Sequence, residues 1–274
     1  MVEQAIEAGF RGIDTAAQPR HYREDLVGEG IRSVLAKGHV KRQDLYIQTK
    51  FTWTSGQDLD GIPFDPNASI TEQVKASVQG SLKSLRPTND HDSLAVPYID
   101  CMLLHFPLPT LDQTVEAWQA VETFVPHSVR SIGISNVSLP VLQVLFAASS
   151  ISVKPIVVQN RFHKATDYDR ELRHFCLTQG VIYQAFGILK SSKDLLDCPP
   201  VVEYSKLSQQ TRAVSLLQLV LGLEGLSLVV GTTNQHTMRA DIRAAEDVLQ
   251  NTQKPNQSHC WGRLHGEFAT YIEK

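Results

Sequence analysis

Two hydrophobic rhythms alternate along this chain. Val2, Ala5, Ile6 and Ala8 recur at helical spacing, and Gly9 stops them. Residues 11–14 read as a short strand, 24–37 as a helix ended by Gly38, and 44–49 as a second strand. Gly56, Gly61, Pro63 and Pro66 mark 53–68 as a long loop. Ser69 with Glu72 has the spacing of a capping box and opens a helix to about Leu85. After a polar loop come strand 98–104, helix 113–124, strand 129–134, helix 139–148, strand 155–159, helix 168–179 and strand 181–186. Residues 187–207 read as irregular. Helix 208–222, strand 226–230 and helix 235–250 close the alternation, and an amphipathic segment near 259–273 is read as a terminal helix.

Seven strands, each followed by a helix, with one helix in front, predict an α/β chain: a (β/α)8 TIM-type barrel with seven βα units evident. The first strand, expected before the helix at Val2, is missing or replaced. Barrels of this class run to ~250 residues, so 1–274 is read as one domain. No linker, low-complexity tract or repeat beyond the alternation divides it.

Five of the apolar runs end on groups able to do chemistry: Asp14, Lys50, His105, Ser135-Asn136 and Gln159. One polar strand end means little, because strands must stop somewhere. Five suggest one convergent pocket, since a barrel displays its site at the C-terminal ends of its strands.

Charge and cysteine narrow the function classes. A net charge of −3 offers no general attraction to nucleic acid or an anionic membrane. Cys101, Cys176, Cys198 and Cys260 show no CxxC or paired spacing, so reduced thiols and a cytoplasmic protein are expected, with no metal site. Cys101 lies in an apolar run and is read as core. Met1-Val2-Glu3-Gln4 lacks the basic and apolar regions of a secretory signal. The stretch from Leu216 to Gly231 is interrupted by Glu224 and two glycines, too short for a membrane span.

The chemistry of Asp14, Tyr22, Lys50 and His105 is coherent. A phenol, with a pKa near ~10, is a poor acid at neutral pH. A neighbouring lysine ammonium would lower that pKa, and an aspartate would hold the lysine charged and in place. A histidine at the same point can hydrogen-bond a carbonyl oxygen. Such a set suits protonation of an oxygen whose carbon is receiving a hydride. Asn136 and Gln159 can hold a carboxamide, and Phe186 can stack on a flat ring. Taken singly, each has a plainer reading. Asp14 can cap a turn, Lys50 can be solvated, and His105 and Phe186 can be core. Tyr22 can pack in its loop, Ser135-Asn136 can cap a helix, and Gln159-Asn160 can turn the chain. Only jointly do they point to a site.

The chain resembles the aldo-keto reductases. The resemblance rests on Gly12-Ile13-Asp14-Thr15-Ala16, Tyr22 with Val27-Gly28-Glu29, and Ile47-Gln48-Thr49-Lys50. It continues through Tyr98-Ile99-Asp100, Leu103-Leu104-His105-Phe106-Pro107, Ile132-Gly133-Ile134-Ser135-Asn136 and Val157-Val158-Gln159-Asn160. The segment Ala17-Gln18-Pro19-Arg20-His21-Tyr22 looks like a fungal-type subgroup. The resemblance implies hydride transfer from NAD(P)H to an aldehyde or ketone at the C-terminal face of a barrel. It implies Tyr22 as general acid, Lys50 and Asp14 tuning it, and His105 orienting the carbonyl. Ser135, Asn136 and Gln159 match positions that hold the nicotinamide carboxamide. Phe186 matches the aromatic stacked on the nicotinamide, often Tyr in the family. Trp53 and Phe106 fall where the family lines its substrate pocket; for Trp53, anchoring its loop is an equal alternative.

Three departures accompany the resemblance. The family's first barrel strand is missing, which implies unpaired strand edges, a replacement by another segment or subunit, and self-association as an option. Thr232-Thr233 stand where the family's usual Lys-Ser meets the cofactor 2′-phosphate, and Met238 stands at the family arginine, with Arg239 one step on. NADPH remains the expected cofactor despite this loss of charge, with NADH as the alternative. Tyr22 lies further from Asp14 than is typical. Two other functions stay open: a non-redox acid–base enzyme such as an isomerase or dehydratase, and a catalytically silent binding protein. Loops 51–68, 106–112 and 187–207, with the C-terminal tail, are expected to set the choice of small-molecule substrate.

Overall fold

A computed structural model describes residues 1–89, 96–253 and 259–274. Part of the polar loop expected before residue 98 lies outside the described residues. Seven strands, β1 Gly12–Asp14, β2 Tyr46–Phe51, β3 Cys101–Leu104, β4 Ile132–Ser135, β5 Val157–Arg161, β6 Ile182–Phe186 and β7 Leu226–Val229, are hydrogen-bonded in chain order. Eleven helices accompany them among the described residues. The order of strands and helices is the βα alternation of the eightfold barrel class, with seven strands in place. The chain forms two compact units, residues 1–158 and 159–274, with β5 crossing from one to the other.

In the first unit β1 to β4 are parallel, with Ile13 beside Ile47, Lys50 beside Leu103 and Leu104 beside Ile134. Ile156 N–H donates to Ile132 O at 3.0 Å, bringing in the start of β5. Around this sheet lie α1 Val2–Ala8, α2 Glu24–Ala36, α3 Ile70–Ser84, α4 Leu111–Glu122 and α5 Leu139–Ala147. Every residue of β3 and β4 is buried, which is why these strands read as unbroken apolar runs rather than alternating ones. Ile6, Ile31, Val34, Leu45, Ile47 and Leu85 form one core between the sheet and the first helices. Reciprocal capping boxes set the starts of α3 and α4: Ser69 with Glu72, and Thr110 with Gln113. Gly133 in β4 has no room for a side chain, since a Cβ there would stand 2.4 Å from Val157 O and 2.5 Å from Leu103 Cδ2.

The second unit holds the end of β5, then β6 and β7 in parallel register, with Phe186 beside Val229. Its helices are α6 Arg170–Thr178, α7 Ile188–Ser191, α8 Pro199–Leu207, α9 Arg212–Leu221, α10 Gln235–Gln253 and α11 His259–Ile272. The segment 187–207, read from sequence as irregular, is mostly helical: α7, a 3-10 turn at Lys193–Asp197, and α8. Pro199 and Pro200 occupy the first turn of α8, where a missing N–H costs no helical bond, and Val201 and Tyr204 are buried. Helix α9 starts at Arg212, not 208, because Gln209 has a φ of 55° and Thr211 Oγ1 caps Val214 N–H. The helix expected from 168 begins at Arg170, since Asp167, Tyr168 and Asp169 form a left-handed turn with φ between 48° and 52°. No helix among the described residues is long and apolar enough to cross a membrane.

Candidate active site

Side-chain alternation along β2 builds most of the site. Gln48, Lys50 and Thr52 project to one face, while Thr49 and Phe51 project to the other. On the first face Lys50, 1% exposed, gives its ammonium to Asp14 Oδ2 at 2.6 Å and to Thr15 O at 3.0 Å. Gln48 Nε2 donates to Asp14 Oδ1 at 2.7 Å, so the carboxylate is held at both oxygens. Burying such a group is costly unless it is paired and hydrogen-bonded, and these partners meet that need.

The register of β2 against β3 carries His105 to the same place. Phe51 pairs with Leu104, and His105 N–H donates to Phe51 O at 2.9 Å, so the residues that follow each strand lie side by side. Thr52 Oγ1 is 2.7 Å from His105 Nδ1. Burial, then the charge of Lys50, push the imidazole pKa down to about 4, so His105 is neutral at physiological pH.

Tyr22 follows β1 in a loop held by Gln18 O, which accepts from Tyr22 N–H at 2.9 Å. Its ring is 6.1 Å from the His105 ring, edge to face, and 5.6 Å from Lys50 Nζ. The hydroxyl makes no hydrogen bond among the described residues. The sequence reading has Lys50 lowering the phenol pKa; instead burial, then Asp14, raise it. The reason is that Lys50 is engaged with Asp14, leaving desolvation as the larger influence on the phenol. Asp14, Tyr22, Lys50 and His105 are thus brought together within the first unit.

On the opposite face of β2, Thr49 donates its hydroxyl to Glu24, and Ser81 Oγ donates to Glu24 Oε2 at 2.9 Å. Burial raises the pKa of this carboxyl. Glu24, two residues from Tyr22, therefore ties the start of α2 to β2 and α3. A cleft of ≈ 300 Å³ beside it is lined by Tyr22, Glu24, Ala16, Ser77 and Ser81.

Phe106 lies against His105 with ring centroids 5.8 Å apart. A Cβ on Gly56 would stand 2.9 Å from Phe106 Cζ, so the glycine lets the loop after β2 close over this ring. Trp53 is half-buried, and its indole N–H has no hydrogen-bond partner among the described residues. Asn136, at the exit of β4, has a φ of 52° and donates to His105 O at 2.9 Å and to Ser135 Oγ at 3.1 Å. Its left-handed backbone suits Asn among the non-glycine residues.

The remaining candidates lie in the second unit. Gln159 is buried in β5 and donates to Gln184 Oε1 at 3.0 Å. Phe186, half-buried at the end of β6, has the Arg161 guanidinium 5.1 Å from its ring centre. Thr232 Oγ1 accepts from Asn234 N–H at 3.1 Å, and Asn234 Oδ1 caps the first turn of α10 through His236 and Thr237 N–H. Thr233 and Arg239 are exposed, and Met238 is buried. Arg239 makes no ion pair among the described residues. Among these same residues no cluster of His, Cys, Asp or Glu has the makings of a metal site.

Sequence reasoning overlooked Gln48, Thr52 and Glu24. The signal for the first two is the polar period of two through positions 48, 50 and 52.

The aldo/keto reductase family model matches residues 1–193. An uncharacterised oxidoreductase, YtbE of Bacillus subtilis, is 30% identical over 243 residues, covering 87% of this chain and 74% of that protein. Human aldo-keto reductase family 1 member C1 is 27% identical over 271 residues, covering 88% and 76% respectively. Among solved structures, an aldo/keto reductase from Brucella melitensis superposes with a TM-score of 0.66 at 23% identity, covering 91% of this chain and 87% of that one. The aldose reductase of Schistosoma japonicum gives a TM-score of 0.68 at 23% identity, covering 92% and 82%. With its barrel strands in family order and a family match over more than half its length, the chain belongs to the aldo/keto reductase family.

Proposed function

We propose that this oxidoreductase reduces an aldehyde or ketone to the alcohol with NADPH as cofactor, NADH being the alternative, and that residues 1–274 work as one domain. The observation that carries the reading is the buried Lys50–Asp14 pair beside Tyr22 and His105. The nicotinamide cofactor, when bound, supplies the hydride to the carbonyl carbon.

As that carbon gains the hydride, the carbonyl oxygen gains negative charge and takes the phenolic proton of Tyr22. A phenol whose pKa is raised stays protonated until an alkoxide-like oxygen calls for the proton. The Lys50 ammonium stabilises the phenolate left behind, and Asp14 holds that ammonium. Neutral His105 donates a hydrogen bond to the same oxygen and orients it. Trp53 and Phe106 face the substrate with apolar surface.

Taken unit by unit, the side chains have the chemistry that a dinucleotide needs. Ser135 and Asn136 in the first unit, and Gln159 in the second, each carry a hydroxyl or amide of the kind that binds a carboxamide. Phe186 offers a flat ring, and Thr232, Thr233 and the unpaired guanidinium of Arg239 suit a phosphate. The four thiols form no disulfide, which supports a reducing, cytoplasmic location.

The test is a fluorescence titration with NADPH and NADH, followed by a panel of aldehydes and ketones. Micromolar binding and oxidation of the cofactor with at least one carbonyl are expected. A folded protein that binds neither cofactor overturns the reading.

A further inference from the structure

A neutral imidazole has one donor and one acceptor nitrogen, and what binds one decides the role of the other. His105 Nδ1 lies 2.7 Å from Thr52 Oγ1, and Nε2 has no partner among the described residues. Thr52 is fully buried, at 0% exposure. Its hydroxyl oxygen has no other hydrogen-bond partner there, so His105 Nδ1 is the one acceptor within reach of its proton. If Nδ1 were protonated instead, the Thr52 hydroxyl hydrogen would be buried without an acceptor, which is costly. With Thr52 donating, the short contact is satisfied and the imidazole proton goes to Nε2.

We propose that Thr52 is a positioning residue: its hydroxyl donates to His105 Nδ1, fixes the Nε2–H tautomer, and so sets a hydrogen-bond donor beside Tyr22. Its role in carbonyl reduction rests on the function proposed above; its control of the tautomer does not. The fold makes the contact nearly obligatory. Alternation from Lys50 puts Thr52 on the Lys50 face of β2, and the last ladder bond, His105 N–H to Phe51 O, sets residue 105 beside it. One strand thus supplies both the cation near Tyr22 and the group that orients His105.

Imidazole 15N–1H NMR of the whole chain tests this, with the His105 signals assigned by comparison with His105→Asn. Wild type and Thr52→Ser should carry the proton on Nε2. Thr52→Val, nearly isosteric but unable to donate, should lose that single tautomer. Its kcat for carbonyl reduction should fall about tenfold, the cofactor affinity should not change, and Thr52→Ser should restore kcat. A wild-type Nδ1–H tautomer overturns the proposal without reference to any variant, and so does an unchanged tautomer in folded Thr52→Val. If no form reduces any carbonyl while the tautomer responds as expected, the role in catalysis falls and control of the ring by Thr52 stands.

Discussion

The hydroxyl of Tyr22 contributes no hydrogen bond to the fold, so its loss separates chemistry from stability. Tyr22→Phe should cut carbonyl reduction by about 10²–10⁴-fold, the range for removing a general acid. Its melting temperature and NADPH affinity should match wild type; steady-state kinetics beside calorimetry check both. His105 gives a second outcome at this scale. Its folded pKa of about 4 lies below the ordinary 6.5, so between these values the unfolded chain binds more protons than the folded one. The share of stability that depends on neutral His105 is therefore complete above about pH 6.5 and is lost as pH falls toward 4. Urea titrations across that window should show the slope, and His105→Gln should flatten it. Asp14, Lys50 and His105 were legible because each ends an apolar run, and Tyr22 because its loop follows the first. The direction of the phenol shift was not legible, since it depends on Lys50 being engaged with Asp14 and on burial by distant segments. Glu24 was hidden for a similar reason: its partners Thr49 and Ser81 lie 25 and 57 residues away.

Elements were read well where periodicity was long and poorly where local turns decide. All seven strands were found, but β2 and β5 run two residues further than their apolar runs, to Phe51 and Arg161. The polar residues Lys50 and Gln159 thus lie within strands rather than past them. Three successive strands meeting at Gly133 left no sequence signal beyond the glycine itself. A Cβ at this position would press on the backbone oxygen of Val157, which cannot move as a side-chain tip would, and on the Leu103 Cδ2 methyl. Gly133→Ala should therefore destabilise the protein by about 1–3 kcal/mol, the usual cost of overpacking, as read from denaturant midpoints. The helical character of 187–207 escaped the sequence reading because its helices are short and two prolines open one of them. There, tertiary burial of Val201 and Tyr204 outweighs the local breaker signals.

For the whole molecule, the single-domain reading makes a thermodynamic prediction. Residues 1–274 should unfold in one cooperative step, with equal calorimetric and van't Hoff enthalpies. Trp261 is the indole of residues 159–274, while Trp53 and Trp118 lie in 1–158. In Trp261→Phe, fluorescence from Trp53 and Trp118 and far-UV circular dichroism should then share a midpoint; two separated midpoints would divide the chain. The barrel class was legible at this scale because it is a rhythm summed over the whole chain. The faces of β2 also bear on how the chain tolerates changes in length. Its pattern acts as a parity code: even positions 48, 50 and 52 face the candidate site, odd positions 49 and 51 face away from it. A single residue inserted ahead of Lys50 would invert the code, sending the ammonium toward Glu24 and the Phe51 ring into the site. Two inserted residues would keep the faces but slide the site about 6.6 Å along the strand, away from Asp14. Residues 53–68 carry no such alternation, so insertions and deletions there leave the parity of β2 untouched.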